Sequence, residues 1–135
     1  MKSRTAVVFV SIIMILAFSV STRVKAFNSG APKLAIASLE HSFGSVKPGT
    51  PLTFTFKIKN QGQSDLEIKS VSPSCGCTTS NFDKVVAPGK EGGITLAVEK
   101  TEGYKGEVVK TATVITNDPD QQQFVLTLRA TFATE

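Results

Sequence analysis

Leu52-Thr53-Phe54-Thr55-Phe56-Lys57-Ile58-Lys59 alternates apolar and polar side chains without a break. A period of two sends Leu52, Phe54, Phe56 and Ile58 to one face of an extended chain and the Thr and Lys side chains to the other. The segment therefore reads as a half-buried strand. The same alternation recurs to either side. Phe124, Leu126, Leu128, Ala130 and Phe132 alternate with Val125, Thr127, Arg129 and Thr131, and Ile94, Leu96 and Val98 alternate with Thr95, Ala97 and Glu99. Shorter candidates are Leu34 to Leu39, Leu66 to Val71 and Val108 to Ile115. In the last of these both faces carry apolar or Thr side chains, which predicts a central strand covered on both sides. Beyond residue 26 no ten-residue window shows a clean apolar stripe of helical period.

Turn residues punctuate these runs. Pro48-Gly49 precedes the Leu52 strand, and Pro88-Gly89 with Gly92-Gly93 precedes the Ile94 strand. Proline presets φ for the corner and glycine takes the positive φ that a type II turn requires. Asn60-Gln61-Gly62 ends one strand, Gly103 to Gly106 separates two others, and Asn117-Asp118-Pro119 opens the last corner. Val46-Lys47-Pro48-Gly49 and Val86-Ala87-Pro88-Gly89 echo one another, which reads as one corner solved twice with the same residues. About seven short strands in some 100 residues, with a turn signal every eight to twelve, is the pattern of an immunoglobulin-like antiparallel β-sandwich. Such a fold buries its alternating Phe and Leu positions between two sheets about 10 Å apart.

Length and composition agree with one small domain. The chain has 135 residues, 41% of them hydrophobic, with nine Phe, one Tyr and no Trp. That is too short for a multidomain enzyme or a doubly wound nucleotide-binding fold. Its formal charge of +4 arises in the first 26 residues, which hold Lys2, Arg4, Arg23 and Lys25 and no acid. The remaining 109 residues carry eleven bases and eleven acids. A neutral domain has no means of concentrating phosphates, so nucleic acid is excluded as a partner.

The first 26 residues have the layout of a secretory signal peptide: a basic start (Lys2, Arg4), an uncharged apolar run from Ala6 to Val20, and Val24-Lys25-Ala26 before cleavage at Phe27. As a spanning helix the run falls short of the roughly 20 residues a bilayer core needs. Arg23 and Lys25 block its extension. A signal helix over 1–26, a flexible leader over 27–33 and a sandwich domain over 34–135 are expected. The mature protein would then be periplasmic or secreted, with no stable membrane span once the signal is removed.

One feature is chemically loaded: Cys75-Gly76-Cys77 within Ser74-Cys75-Gly76-Cys77-Thr78. Exported proteins commonly carry structural disulfides. In an extended strand, however, Cα atoms two residues apart are about 6.7 Å from one another, at the limit for a bridge. A tight turn, which Gly76 permits, would be required. Closing a three-residue loop removes little unfolded-state entropy, roughly 1.6 kcal/mol on the chain-entropy expression. Stability alone does not account for the pair. Three readings stay open: thiol exchange by vicinal thiols or a readily reduced disulfide, coordination of a soft ion such as Cu(I) by two thiolates, or a structural role in which one Cys is a small buried hydrophobe, the other is incidental and Gly76 serves a bulge. Zinc would need four ligands, and His41 is the sole addition available.

Little else suggests catalysis. His41 stands alone, and a Cys–His nucleophile would need it to meet Cys75 or Cys77 across the domain. Asp65, Asp83, Asp118 and Asp120 sit beside turn residues, where Asp commonly accepts from backbone N–H groups. There is no Gly-x-Ser-x-Gly elbow and no phosphate-cradling glycine loop. Enzymatic turnover is not expected.

These residues resemble a bacterial family, the domain of unknown function numbered 1573, over roughly Leu34 to Phe132. The resemblance is carried by Phe43-Gly44-Ser45-Val46, Thr53 to Asn60 with Gly62, Leu66 and Ile68. It continues through Ser74-Cys75-Gly76-Cys77-Thr78, Pro88-Gly89 and Thr116-Asn117-Asp118-Pro119. It implies an immunoglobulin-type sandwich related to ASH and major-sperm-protein-like domains, which act mainly as binding or scaffolding modules. On this reading the chain is an exported, non-catalytic module whose partner is another envelope protein. Thiol-redox or Cu(I) handling through Cys75 and Cys77 is the alternative.

Overall fold

A computed structural model describes residues 30–134, so the expected signal segment and the first part of the leader lie outside the described residues. Among the described residues all regular structure is β. Nine strands form: β1 (Leu34–Ile36), β2 (Glu40–Val46), β3 (Leu52–Asn60), β4 (Leu66–Pro73), β5 (Thr78–Phe82), β6 (Val85–Val86), β7 (Glu91–Val98), β8 (Gly106–Thr116) and β9 (Gln123–Phe132). They make two sheets, in the order β1-β3-β7-β5 and β2-β9-β8-β4-β6. The core between them is built from the alternating positions, with Phe56, Ile58, Leu66, Ile94, Leu96, Val114, Leu126 and Leu128 all buried. A smaller cluster of Leu52, Val98, Ala130 and Phe132 closes one end, capped by Tyr104 edge-on to Phe132.

The architecture is the expected sandwich, with three corrections. First, there are nine strands rather than about seven. The additional ones are poor in apolar pattern: β2 (EHSFGSV), β5 (TTSNF) and the two-residue β6. Second, pairing is not wholly antiparallel, because β2 runs parallel to β9. The run read as one strand from Leu34 to Leu39 stops pairing with β3 after Ile36, crosses to the other sheet through Ala37–Leu39 and resumes beside β9. The chain crosses without reversing, so β2 keeps the direction of β1. A shift in the β2–β9 register between Ser42 and Ser45, with Gly44 at φ 67°, hid this strand from a strict period-two reading. Third, β8 is central in its sheet but is covered on one face only. Val109 and Val125 on the outer face are each 43% exposed.

Two Pro-Gly corners are built identically, as their sequences suggested. Thr50 N donates to Lys47 O at 3.2 Å and Lys90 N to Ala87 O at 3.0 Å, with Gly49 at φ 84° and Gly89 at φ 74°. A side chain at either glycine would strain the backbone. The described end of the leader is not loose. Gln61 N donates to Lys33 O at 2.8 Å and Gln63 N to Ala31 O at 3.2 Å, continuing the β1–β3 ladder beyond the strand.

Candidate functional site

Three places on the sandwich carry the residues the sequence singles out. The first is the edge of β3. On one side β3 pairs with β7 along its whole length, from Leu52↔Val98 to Lys59↔Glu91. On the other side, among the described residues, β1 covers only Asn60, Lys59 and Ile58. Main-chain groups alternate in direction along a strand, and Asn60 fixes the phase. Its N–H donates to Lys90 O at 3.0 Å and its C=O accepts from Gly89 N at 2.8 Å, both on the β7 side. Even-numbered residues therefore bond toward β7, and the N–H and C=O of Thr53 and Thr55 point out along the uncovered edge.

Beside that edge the sandwich is open where the chain has left for the other sheet. A groove of about 290 Å³ is lined by Ala37, Ser38, Phe54, Thr55, Phe56 and Lys57. Phe54, unlike the neighbouring core positions, is only half-buried. His41 of β2 stacks flat on it, with ring centroids 3.6 Å apart and planes 6° from parallel. Phe43 meets His41 edge-on at 4.7 Å, and Phe56 meets Phe54 at 4.9 Å. The lone histidine thus closes an aromatic wall. It does not approach the cysteines, because β2 and β4 are separated by β9 and β8, about 14 Å at ordinary strand spacing. Thr53, Thr55 and Lys57 present exposed side chains on the outer face, where Thr55 and Thr95 hydroxyls are 2.7 Å apart.

The second place is the loop from Ser74 to Cys77. It carries the chain from β4 in one sheet to β5 in the other. Cys75 and Cys77 are bonded to one another with Cα atoms 5.3 Å apart, so the segment is a turn and not an extended strand. Both are half-buried and Gly76 is exposed. Neither sulfur is a lone buried hydrophobe, which corrects that structural reading. In the bonded state neither is a thiolate, so a soft metal would require the reduced pair. Thr78 N donates to Cys75 O at 3.3 Å and Ser74 N to Thr111 O at 2.9 Å. The Thr78 hydroxyl lies 3.7 Å from Cys75 Sγ.

The third is a structural clasp that the sequence showed only as turn residues. Asp118 is 2% exposed, and its Oδ2 accepts from Leu34 N at 2.7 Å while Oδ1 accepts from Asp120 N at 2.8 Å. It ties the start of β1, in one sheet, to the β8–β9 corner of the other. Asn117 reaches the start of β4 through Glu67 N at 2.8 Å and Asp65 O at 3.1 Å. At the surface, Arg129 of β9 donates to Glu40 of β2 at 2.5 Å and to Glu107 of β8 at 3.2 Å. These carboxylates hold its guanidinium above the usual arginine range, the hydrogen bond it donates to Glu40 contributing most. Asp118→Ala is expected to cost about 2–4 kcal/mol, because it leaves the Leu34 N–H inside the protein with no acceptor. Asp118→Asn retains one oxygen and should lie between it and the parent in urea unfolding.

Four strands with β1 at one edge, faced by five with β2 at one edge, define an immunoglobulin-like sandwich. The ASH/PapD-like domain 7 of human CEP192 superposes with a TM-score of 0.58 at 10% identity, the match covering 78% of this chain and 88% of that one. The chain belongs to the family described as "Protein of unknown function (DUF1573)", whose model matches residues 34–132. A protein of unknown function from Porphyromonas gingivalis W83 superposes with a TM-score of 0.63 at 23% identity. The match covers 76% of this chain but 46% of that protein, so this chain spans less than half of its length. The Acinetobacter baumannii CsuC–CsuE chaperone–tip adhesion subunit pre-assembly complex gives a TM-score of 0.51 at 10% identity, covering 74% of this chain and 52% of that one. No curated protein matches the chain in sequence.

Proposed function

We propose that this domain is an exported, non-catalytic binding module of the cell envelope that takes an extended segment of another envelope protein onto the open edge of β3. One observation carries the reading: Thr53 and Thr55 hold out a ready row of main-chain donors and acceptors next to the groove walled by Phe54, Phe56 and Ala37. An added strand would satisfy those groups, and its alternate side chains would enter the apolar groove; this is the physics of strand addition. The matching partner segment alternates apolar and polar residues and lacks proline where its N–H groups meet Thr53 and Thr55. Export rests on the basic start, apolar run and small-residue site of residues 1–26. Sandwiches of this fold include a chaperone caught in complex with an adhesion subunit, which supports a protein as the partner.

Site-specific photocrosslinking in the exporting cell tests the proposal. A photoreactive phenylalanine analogue in place of Lys57 should give a discrete protein adduct, and the same analogue at Val125, exposed on the outer face of the other sheet, should not. Equal crosslinking at both positions, or none at either, would overturn the assignment to this edge.

A further inference from the structure

We propose that Cys75–Cys77 is a thiol–disulfide exchange site, which accepts two electrons from a dithiol of a second envelope protein while the sandwich stays folded. Four observations lead there. The bond closes a three-residue loop, so it contributes little by restraining the unfolded chain. It lies outside both sheets, on the connection between β4 and β5, with both cysteines half-buried and Gly76 exposed. Among the described residues nothing stands within 4 Å of the place a Gly76 side chain would occupy, so the tip of the loop between the two cysteines is uncrowded. Finally, the hydrogen bonds Ser74 N to Thr111 O and Thr78 N to Cys75 O bracket the loop through its main chain and involve neither sulfur.

The loop also distinguishes the two sulfurs. Thr78 is 6% exposed, so its hydroxyl is held in place, 3.7 Å from Cys75 Sγ. A thiolate leaving at Cys75 receives a hydrogen bond there, and exchange is faster when the leaving sulfur is the better stabilised anion. The incoming thiolate therefore attacks Cys77 Sγ. A new bond forms between the partner sulfur and Cys77, the Cys75–Cys77 bond breaks, and its electron pair stays on Cys75. The second thiolate of the partner then attacks its own mixed-disulfide sulfur and expels Cys77. The partner dithiol ends as a disulfide, and the two protons it has lost end on Cys75 and Cys77. Atoms and electrons balance with no other oxidant.

The test uses the chain as purified from the exporting cell, oxidised, with dithiothreitol as the dithiol. Samples are quenched in acid, alkylated and weighed by mass spectrometry while circular dichroism is followed in parallel. Both cysteines should become alkylatable in native buffer with the β-sheet signal unchanged. With glutathione as a monothiol, the trapped adduct should map to Cys77. Thr78→Val should slow reduction roughly fivefold, the worth of one hydrogen bond to the leaving sulfur, and Thr78→Ser should restore it. Reduction that appears only in denaturant, or only with loss of the sheet signal, would overturn the proposal. So would an adduct mapped to Cys75, or a Thr78→Val rate equal to the parent's.

Discussion

Asn60→Ala is expected to destabilise the domain by about 2–4 kcal/mol, and Asn60→Asp by more, although the second change is the smaller in shape. Asn60 ends β3 and is fully buried. Its Nδ2 donates to Ser64 O at 2.7 Å and to Val86 O at 2.9 Å, while Oδ1 accepts from Gly62 N at 2.9 Å and Lys33 N at 3.3 Å. The side chain uses both of its donors and both acceptor directions, joining the end of β3 to β6 and to the stretch before β1. Alanine leaves these main-chain groups without partners. Aspartate fills the space but has no donor, so it aims a charged oxygen at two carbonyls. A buried charge facing like dipoles costs more than a missing bond. Urea unfolding followed by circular dichroism measures both, as a lowered midpoint at unchanged slope. Equal costs for the two variants would mean that Asn60 acts by filling space alone.

Amide exchange along β3 should alternate sharply. Phe54 and Phe56 bond into the β7 ladder in the middle of the fold, so their N–H groups should exchange only through large-scale opening. Those of Thr53 and Thr55 face the uncovered edge and should exchange nearly as fast as in an unfolded chain. For a domain of ordinary stability the contrast between odd and even residues is about a thousandfold or more. Two-dimensional NMR after transfer to heavy water reads each amide separately. Protected amides at Thr53 and Thr55 in the isolated domain would mean that the edge is already covered, and strand addition there would fail with it. Bound partner segment should slow those two amides and leave Phe54 and Phe56 as they were.

Much of this was legible from residue order. The long alternating runs around Phe56, Ile94 and Leu126 became β3, β7 and β9 with their apolar members inside, because burial on one face of a pleated chain leaves a period of two. The Pro-Gly corners were equally plain, since proline and glycine act through local backbone geometry. By contrast β2, β5 and β6 were missed. Each lies at a sheet edge, and a peripheral strand needs few apolar residues. Asp118 and Asn60 looked like ordinary turn and strand-end residues. Their importance comes from partners 84 and 26 positions away, Leu34 and Val86, which no local pattern encodes. At the candidate site, Cys75-Gly76-Cys77 announced itself by composition. The open edge did not, although the polar Ser38 after Ile36-Ala37 breaks the first alternating run where the chain changes sheets.

By itself the amino-acid sequence determined that the chain is a small β-sandwich, that Phe and Leu positions fill its interior, and where its sulfurs and corners lie. These follow from short-range rules of pleat, turn and loop closure. The tertiary structure alone decided that the first strand is divided between two sheets, that β2 consequently runs parallel to β9, and that among the described residues no strand pairs with Thr53 and Thr55 on the side beside the aromatic groove. Which neighbour a strand meets depends on how both sheets pack around one core, a contest among contacts distant in the chain. The proposed direction of exchange at Cys75–Cys77 has the same origin, because it depends on where the fold holds the hydroxyl of Thr78.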